Sequence, residues 1–456
     1  MLTAETFVRI INDYLYSYLL IGALIGCSCY FTLRSRCLQL RLLGEMVRQL
    51  IHREACSERS HITPLQAFLV SLAGRVGTGN IAGVSLALSI GGAGAVVWMW
   101  LMALIGAATA FWEGTLAQLY KQPSQEAGYR GGPAYYMHYG LRNHRLAALF
   151  AVMSTLSLGL VCNSVHSNTV CQAFEEGFGI MPLYLGLILT VLALIIFIGG
   201  LRRIAAVSSY VVPVMAFGYM LLALYVTVTH LSLLPSVFSE MLAQAFGWHQ
   251  AIGGGVAACF VQGVKRGLYS NEAGWGTAPN VAATAATSHP VKQGLIQAIG
   301  VLVDTLVVCS CTAFIVLLSG EQLSSGVGGI VLTQRALQAT VGPWSVRFVS
   351  VAVLLFAFST LLSNYYYGES NLRFLTGNKT IRRAYQIAAA LMVLAGALLS
   401  FNLIWSLADL VMALMTLMNL YALAKLTPRV LVLLRDYEKK RKRGENPHFR
   451  FPYISD

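Results

Sequence analysis

The stretch Ser71-Leu-Ala-Gly-Arg-Val-Gly-Thr-Gly-Asn80-Ile-Ala-Gly83 carries four glycines inside an apolar segment at residues 65–90. Glycine destabilises the interior of a helix, so this spacing favours a break at Gly77-Thr78-Gly79. A break exposes backbone amides at the start of the second half-helix, where the helix dipole favours an anion such as a carboxylate. It also frees the carbonyl groups near Ala73 and Val76, which suit a desolvated cation or an ammonium group. The stretch therefore predicts a site that can hold both ends of a zwitterion such as an amino acid.

The composition around this stretch is that of a membrane protein. Of the 456 residues, 56% are hydrophobic and 11% are charged, whereas soluble domains carry about 25% charged residues. The net charge of +13 would suggest nucleic-acid binding in a soluble protein. Here the basic residues lie between apolar segments, so we expect the lipid bilayer as a partner and no nucleic acid. A bilayer-spanning helix needs about 20 apolar residues, and eleven spans are predicted, at residues 14–33, 65–90, 95–119, 146–173, 182–199, 204–230, 248–268, 293–318, 345–368, 385–402 and 404–425.

The distribution of lysine and arginine predicts the orientation of these spans. If the loop 34–64 is cytoplasmic and the sides alternate, 28 of the 32 Lys and Arg residues fall on the cytoplasmic side, as the positive-inside rule requires. We therefore expect the N-terminus outside and the C-terminus inside, where Lys439-Lys440-Arg441-Lys442-Arg443 anchors the tail. The first apolar run lacks a small-residue cleavage site and is expected to remain as a helix.

The order of the spans suggests an internal repeat. Without the first span, ten remain as two sets of five, and the first span of each set is rich in glycine. The second glycine-rich stretch, Gly253-Gly-Gly-Val-Ala-Ala-Cys-Phe-Val-Gln-Gly263, continues to Gly267. Glycines in membrane helices permit close helix packing, but broken helices at matching positions form the binding sites of transporters with inverted repeats. Because the two clusters match in position, we favour broken helices. The predicted units are an N-terminal helix with a basic loop (1–64), a first five-helix repeat (65–230), a second (231–428) and a basic tail (429–456).

Four long motifs occur between about residues 60 and 425. They are Gly74-Arg-Val-Gly-Thr-Gly-Asn-Ile-Ala-Gly83, Gly131-Gly-Pro-Ala-Tyr-Tyr136, Arg266-Gly-Leu-Tyr-Ser-Asn-Glu-Ala-Gly-Trp-Gly-Thr-Ala-Pro279, and Phe356-Ala-Phe-Ser-Thr360 with Tyr367-Gly-Glu369. In this order they resemble the alanine/glycine:cation symporter family. The resemblance implies an all-α polytopic membrane protein with a LeuT-like fold. Such a protein has two inverted five-helix repeats (5+5), and here one extra N-terminal helix precedes them. It also implies sodium-coupled import of a small neutral amino acid, of the alanine/glycine class, across a bacterial inner membrane. The N-terminus would then be periplasmic and the C-terminus cytoplasmic, with Na⁺ as the coupling ion and no other cofactor.

The resemblance further implies where the ligands bind. The pattern Gly77-Thr78-Gly79-Asn80 is similar to the broken first core helix of sodium-coupled neurotransmitter-type symporters, and this places the substrate carboxylate on the amides of Thr78 and Gly79. For Ser359 and Thr360, the alternative to a role as cation ligands is that both hydroxyls donate hydrogen bonds to carbonyls of their own helix. The implied sodium ligands are the carbonyls of Ala73, Val76 and Phe356 and the hydroxyls of Ser359 and Thr360. The expected substrate-binding residues are Thr78, Gly79, Asn80, Asn163, His166, Phe260, Gly263, Thr360 and Asn364.

Two departures from the family pattern bear on the substrate. In Asn163-Ser-Val-His166-Ser-Asn168, a histidine stands where family members commonly have a glutamine that faces the substrate. After Phe-Ser-Thr the chain has Ser363-Asn364 where many members have Gly-Trp. The loss of the tryptophan predicts a larger and more polar pocket, so a larger or more polar amino acid than alanine is an alternative substrate. His166 is either a pocket ligand, which we favour, or a histidine hydrogen-bonded within the bundle.

Other polar groups lie inside the predicted spans. Glu113, Asp304 and Asp409 could relay protons, but we favour paired structural groups, with Asp304 as a partner for Arg75. The stretch Asn271-Glu272, which follows Lys265-Arg266, is either an inner gate or a loop-capping network. A proton-coupled transporter that uses His166, Glu113 or Asp304 is therefore the alternative function.

Two other function classes find no support in the residues. No His-Glu-x-x-His, Gly-x-Ser-x-Gly or phosphate-binding loop occurs, and the glycine-rich stretches lie in apolar spans, so we do not expect an enzyme. No repeated selectivity filter of the kind that channels use is present.

Overall fold

The computed structural model describes residues 11–12, 14–51, 62–124, 128–247, 254–321, 323 and 328–451, and these residues are mostly helical. One antiparallel hairpin pairs β1 (Gln122–Ser124) with β2 (Gly128–Arg130). The longer helices are α1 (Ile21–Arg34), α2 (Leu43–Ile51), α3 (Pro64–Arg75), α4 (Gly79–Gly91), α5 (Gly94–Leu119), α6 (His144–Phe178), α7 (Pro182–Leu201), α8 (Arg203–Thr229), α9 (Leu234–Phe246), α10 (Gly254–Asn271), α11 (Pro279–Ala282), α12 (Pro290–Leu317), α13 (Ile330–Val341), α14 (Trp344–Leu375), α15 (Lys379–Leu398) and α16 (Phe401–Lys442). Short helical turns occupy Leu15–Leu20, Leu38–Arg41, Pro133–Tyr135, Tyr136–Gly140 and Leu231–Leu233.

The predicted spans coincide with helices, although fewer are long and apolar enough to cross a bilayer. Among the described residues, 8 helices meet that test, and the bent pair α3 and α4 makes 9. The N-terminal helix α1 is shorter than a span, with 14 residues. Helix α10 occupies the seventh predicted span, whose first residues, 248–253, lie outside the described part of the chain. The polytopic prediction is confirmed, and the count of eleven stays a prediction.

The first predicted break is confirmed. Helix α3 begins at a capping box, in which the hydroxyl of Thr63 accepts from the Gln66 amide and the Gln66 side chain accepts from the Thr63 amide. The helix ends at Arg75, and Val76 leaves the helical conformation with φ −75° and ψ 88°. Helix α4 then starts at an angle of 45° to α3. The break therefore occupies residues 76–77, one residue earlier than the spacing predicts.

The second predicted break is in the wrong place. Helix α10 continues without interruption through Gly263 and Gly267, and Gly253 lies outside the described residues. A β-carbon at Gly263 would lie 2.5 Å from the carbonyl oxygen of Ala95, so this glycine permits α10 to pack closely on α5. The chain instead unwinds at residues 272–278, between α10 and α11.

Positive backbone angles mark this second break. Glu272, Gly274 and Gly276 have φ values of 55°, 93° and 79°, a region that glycine enters without steric cost. The non-glycine Glu272 is therefore a strained position, of the kind that concentrates at functional sites. The start of α4 lies close to the second break, because Gly79 packs against Tyr269 and Ser270 at the end of α10.

Candidate functional site

A small enclosed cavity lies between the two breaks. Its volume is about 10 Å³, which holds about one water molecule. An amino acid can enter only if the lining side chains or helices move. The cavity is lined by Gly74, Arg75, Gly77, Gly79, Cys162, His166, Tyr269, Glu272, Trp275, Thr360, Asn364 and Met412.

The first break presents backbone amides beside this cavity. Thr78 and Gly79 open the second half-helix, where amides lack a carbonyl partner one turn earlier. The amide of Gly77 is already bonded to Oδ1 of Asn80, at 2.8 Å. The amides next to the cavity thus have the polarity that a carboxylate requires.

Asn80 does not line the cavity. Its Nδ2 points to the other side of α4 and donates to Oγ of Ser270 at 3.0 Å and to Oδ1 of Asp304 at 2.7 Å. Because its Oδ1 also caps the Gly77 amide, the side chain braces the break against α10 and α12. The sequence predicted substrate contact for this residue; the structure gives it contacts with protein groups.

The five predicted sodium ligands lie together at the first break. Oγ1 of Thr360 is 2.8 Å from the carbonyl oxygen of Ala73, 3.5 Å from that of Val76 and 3.0 Å from that of Phe356. The hydroxyls of Ser359 and Thr360 both bond back to the carbonyl of Phe356 in their own helix, at 2.9 and 3.0 Å, as the alternative predicted. Thr360 also contacts carbonyls outside that helix. One hydroxyl hydrogen cannot satisfy three carbonyls, so oxygen lone pairs are in excess here. Such a cluster of neutral oxygens suits a monovalent cation.

His166 joins the first break to α14. An amide nitrogen can only donate, so the 3.0 Å contact from Nδ2 of Asn364 makes Nε2 of His166 the acceptor. The imidazole hydrogen is then on Nδ1, which donates to Oγ1 of Thr78 at 2.9 Å. His166 and Asn364 both line the cavity. These two contacts link both side chains to the first break.

Four other predicted pocket residues do not line the cavity. The hydroxyl of Thr78 contacts Nδ1 of His166 instead. Asn163 donates to the carbonyl of Gly159 in its own helix. Phe260 packs edge-on against Trp98, with 4.8 Å between the ring centroids. Gly263 lies in the interface of α10 with α5.

Several lining residues were missed in the sequence analysis. Arg75 was considered only as a partner for Asp304, but it donates to the carbonyl of Gln297 at 3.3 Å and lines the cavity. Glu272 and Trp275 were read as parts of a gate or a motif, and both line the cavity from the second break. The signal for them was the spacing Glu272-Ala-Gly-Trp-Gly276, whose glycines permit the unwound backbone.

The buried acids outside the cavity have protein partners, as the structural interpretation predicted, but the expected pair of Asp304 with Arg75 is not formed among the described residues. Glu113 accepts from the amides of Gly274 and Gly276 at 3.2 and 2.8 Å, and from Nδ2 of Asn419 at 2.7 Å. It therefore holds the second break in its unwound form. Asp304 accepts from Ser270, Asn80 and Thr305, and Asp409 pairs with Lys265 and Arg266.

Comparisons with known proteins show the family to which the sequence is similar. A model of the sodium:alanine symporter family matches residues 1–451. The chain is 49% identical to the probable sodium/glutamine symporter GlnT of Bacillus subtilis, over 98% of this chain and 93% of the relative. It is 33% identical to the sodium/alanine symporter AgcS of Methanococcus maripaludis, over 95% of this chain and 97% of that protein.

Solved structures share the fold at low sequence identity. The crystal structure of MhsT with L-phenylalanine superposes with a TM-score of 0.55 at 14% identity, and it covers 84% of this chain and 99% of MhsT. A substrate-bound Na⁺-coupled sialic acid symporter superposes with a TM-score of 0.51 at 12% identity, over 94% of this chain and 93% of the symporter. These likenesses show that the described helices adopt the LeuT-type transporter fold.

Proposed function

This chain belongs to the sodium:alanine symporter family, and from that premise we propose that it imports a neutral amino acid together with sodium by alternating access. The observation that carries the proposal is the convergence of three backbone carbonyls on Thr360, next to the backbone amides that open the second half-helix. A cation and a carboxylate would then lie next to each other, each with partners of the opposite polarity.

The proposed site assigns a partner to each end of the substrate. The carboxylate binds the amides of Thr78 and Gly79, where the dipole of α4 favours negative charge. Sodium binds the carbonyls of Ala73, Val76 and Phe356 and the hydroxyls of Ser359 and Thr360. No covalent step is involved, and the work of the protein is to expose this site to one side of the membrane at a time.

The position of the cation cluster explains coupling. Its oxygens come from α3 and from α14, so a bound cation pulls these two helices together. A ligand shifts a conformational equilibrium only by its difference in affinity between the two states. Sodium would favour the conformer in which the first break is ordered, and that conformer is the one that presents the amides to the substrate.

The membrane arrangement completes the proposal. We place the N-terminus in the periplasm and the C-terminus in the cytoplasm of a bacterial inner membrane; the distribution of Lys and Arg supports this orientation. Ten core helices would form the two inverted repeats, with α1 outside them. The relatives named above are described as carriers of glutamine and of alanine, so both amino acids belong in the first assay.

The test is uptake into liposomes that contain the purified protein. Labelled alanine and glutamine are offered with an inward sodium gradient and with sodium replaced by potassium at fixed pH. Uptake that requires sodium is the expected result. Uptake driven by a proton gradient without sodium would contradict the proposed coupling and favour the proton-coupled alternative, for which His166 in the cavity is the available group.

A further inference from the structure

Two neutral polar atoms at the cavity lack a hydrogen-bond partner among the described residues. They are Oδ1 of Asn364, an acceptor, and Nε1 of Trp275, a donor. Both residues line the cavity and are nearly inaccessible, at 3% and 2% exposure. A buried polar atom without a partner costs about 1–3 kcal/mol, and few occur in native proteins. Two such atoms of opposite polarity at one cavity point to a ligand group that is both donor and acceptor.

In the structure, the Nδ2 of Asn364 contacts Nε2 of His166, and Nδ1 of His166 contacts the hydroxyl of Thr78. In this arrangement Oδ1 of Asn364 is the atom left without a partner.

The charged groups of the cavity are matched to the charged ends of an amino acid. Arg75 has Nε and Nη2 without a partner among the described residues, which adds positive charge beside the amides proposed for the carboxylate. Glu272 lines the same cavity, with Oε2 bonded to the hydroxyl of Thr277, and offers negative charge to the ammonium. Asn364 and Trp275 are both neutral, so we expect them to bind an uncharged part of the ligand.

We propose, on the basis of the proposed function, that the substrate has a primary carboxamide side chain, with Asn364 as its specificity-determining residue and Trp275 as the second hydrogen-bond partner. The side-chain NH₂ donates to Oδ1 of Asn364, and the side-chain carbonyl accepts from Nε1 of Trp275. An apolar side chain leaves both protein atoms without a partner, and a carboxylate side chain brings an acceptor against Oδ1. A site that hydrogen-bonds its substrate rejects analogues that lack the group far more strongly than an apolar pocket does.

The first test uses the unmodified protein in liposomes with an inward sodium gradient. Unlabelled glutamine, asparagine, glutamate, methionine and alanine compete with labelled glutamine. Glutamine or asparagine is expected to compete at concentrations about tenfold or more below those of the other three. Sodium-driven uptake with alanine or methionine preferred would overturn the carboxamide assignment and leave the proposed function standing. Uptake of all neutral amino acids without sodium dependence would overturn the proposed function itself.

The second test assigns the preference to the two residues. Trp275→Phe keeps the aromatic ring and removes Nε1, and Asn364→Leu keeps the approximate shape and removes Oδ1. Each is expected to reduce the ratio of glutamine to alanine uptake by about tenfold. Trp100→Phe is the matched control, because Nε1 of Trp100 donates to Ser310 away from the cavity, and its ratio should stay at the level of the unmodified protein. If either cavity variant is folded and keeps the original ratio of glutamine to alanine uptake, the replaced residue does not contribute to recognition of the substrate side chain. Binding can be checked independently as a glutamine-dependent rise in melting temperature with sodium present, which both cavity variants should lose.

Discussion

The hydroxyl of Thr360 donates across the first break to the carbonyl oxygen of Ala73, at a distance of 2.8 Å. This contact joins the middle of α14 to the last turn of α3, two elements that are 287 residues apart in the chain. Two more carbonyls lie within 3.5 Å of the same hydroxyl oxygen.

Replacing both hydroxyls of the cation cluster should weaken sodium coupling. In Ser359→Ala with Thr360→Ala, the three carbonyls remain but two oxygen ligands are lost. The sodium concentration for half-maximal uptake should rise about tenfold or more, equivalent to about 1.4 kcal/mol. The measurement is initial uptake into liposomes as a function of sodium.

Ser363→Ala provides the control for this experiment. Its hydroxyl lies one turn further along α14 and contacts the carbonyl of Val70, outside the cluster. It should keep the sodium dependence of the unmodified protein. An unchanged sodium dependence in the double variant would show that the cation binds elsewhere.

A side chain at Gly77 should disturb the same cluster. A β-carbon built at Gly77 would meet Oγ1 of Thr360 in severe overlap, and would lie 3.1 Å from its Cβ and 3.2 Å from its Cγ2. Gly77→Ala must therefore displace Thr360 or shift the break. Sodium-stimulated uptake should fall about tenfold or more.

The matched control is Gly218→Ala in α8, where an added β-carbon meets no atom within 4 Å. Uptake by this variant should equal that of the unmodified protein. Full activity of Gly77→Ala would mean that the close approach of α3 to α14 is not needed for transport.

Removing the acceptor that holds the second break should destabilise the fold. In Glu113→Gln, an NH₂ group replaces an oxygen that faces amide and side-chain donors from Gly274, Gly276 and Asn419. At least one buried donor then has no partner, and the cost is expected to be about 2–4 kcal/mol. The melting temperature in detergent should fall, whereas the exposed control Glu175→Gln should leave it unchanged. Equal melting temperatures would show that the unwound segment holds its shape without this carboxylate.

Docking of the C-terminal tail should weaken in acid. The ring of His289, which precedes α12, lies 5.7 Å from the ring of Phe449, and the amide of Phe449 donates to Ser288. Burial lowers the pKa of His289 from 6.5 to about 4, although Asp436 partly opposes the change. A lowered pKa in the docked state means that the stabilisation is complete above pH 6.5 and is lost as the pH falls toward 4.

The measurement is hydrogen exchange of the backbone amides at 444–451. Corrected for intrinsic rates, exchange should increase on the order of tenfold between pH 7.5 and pH 5. In His289→Phe, which keeps an aromatic ring without the titratable group, this increase should disappear. The same pH response in both proteins would assign the effect to another group.

The sequence predicted the first break correctly because its cause is local. Four glycines within a span weaken the helix where they stand, and the fold only moves the break by one residue. The cause of the second break is not local. Gly263 is required for the approach of α10 to α5, and the unwound backbone further on depends on a carboxylate from another helix. Sequence alone does not distinguish a glycine that permits packing from one that permits a turn.

The residues of the candidate site also divide into those that a local motif predicts and those whose position depends on the rest of the fold. The residues predicted around the cation came from one motif on each side, and the structure brings them together. Asn80 differs, because an amide side chain next to a break can face either a cavity or the protein, and Ser270 and Asp304 provide partners on the protein side. Trp275 was overlooked, since its position depends on a backbone that has left the helix.

The contacts of Glu113 also constrain the order in which the protein folds during its synthesis. The carboxylate is translated 161 residues before Gly274, which is roughly 8–32 s at about 5–20 residues per second. During that interval α5 enters the membrane with an acid whose final partners do not yet exist, and an isolated charge at that depth is costly. Helix α5 therefore remains at the translocon, or pairs temporarily with other groups, until the second half of the protein is inserted. Only then can Glu113 form its final hydrogen bonds.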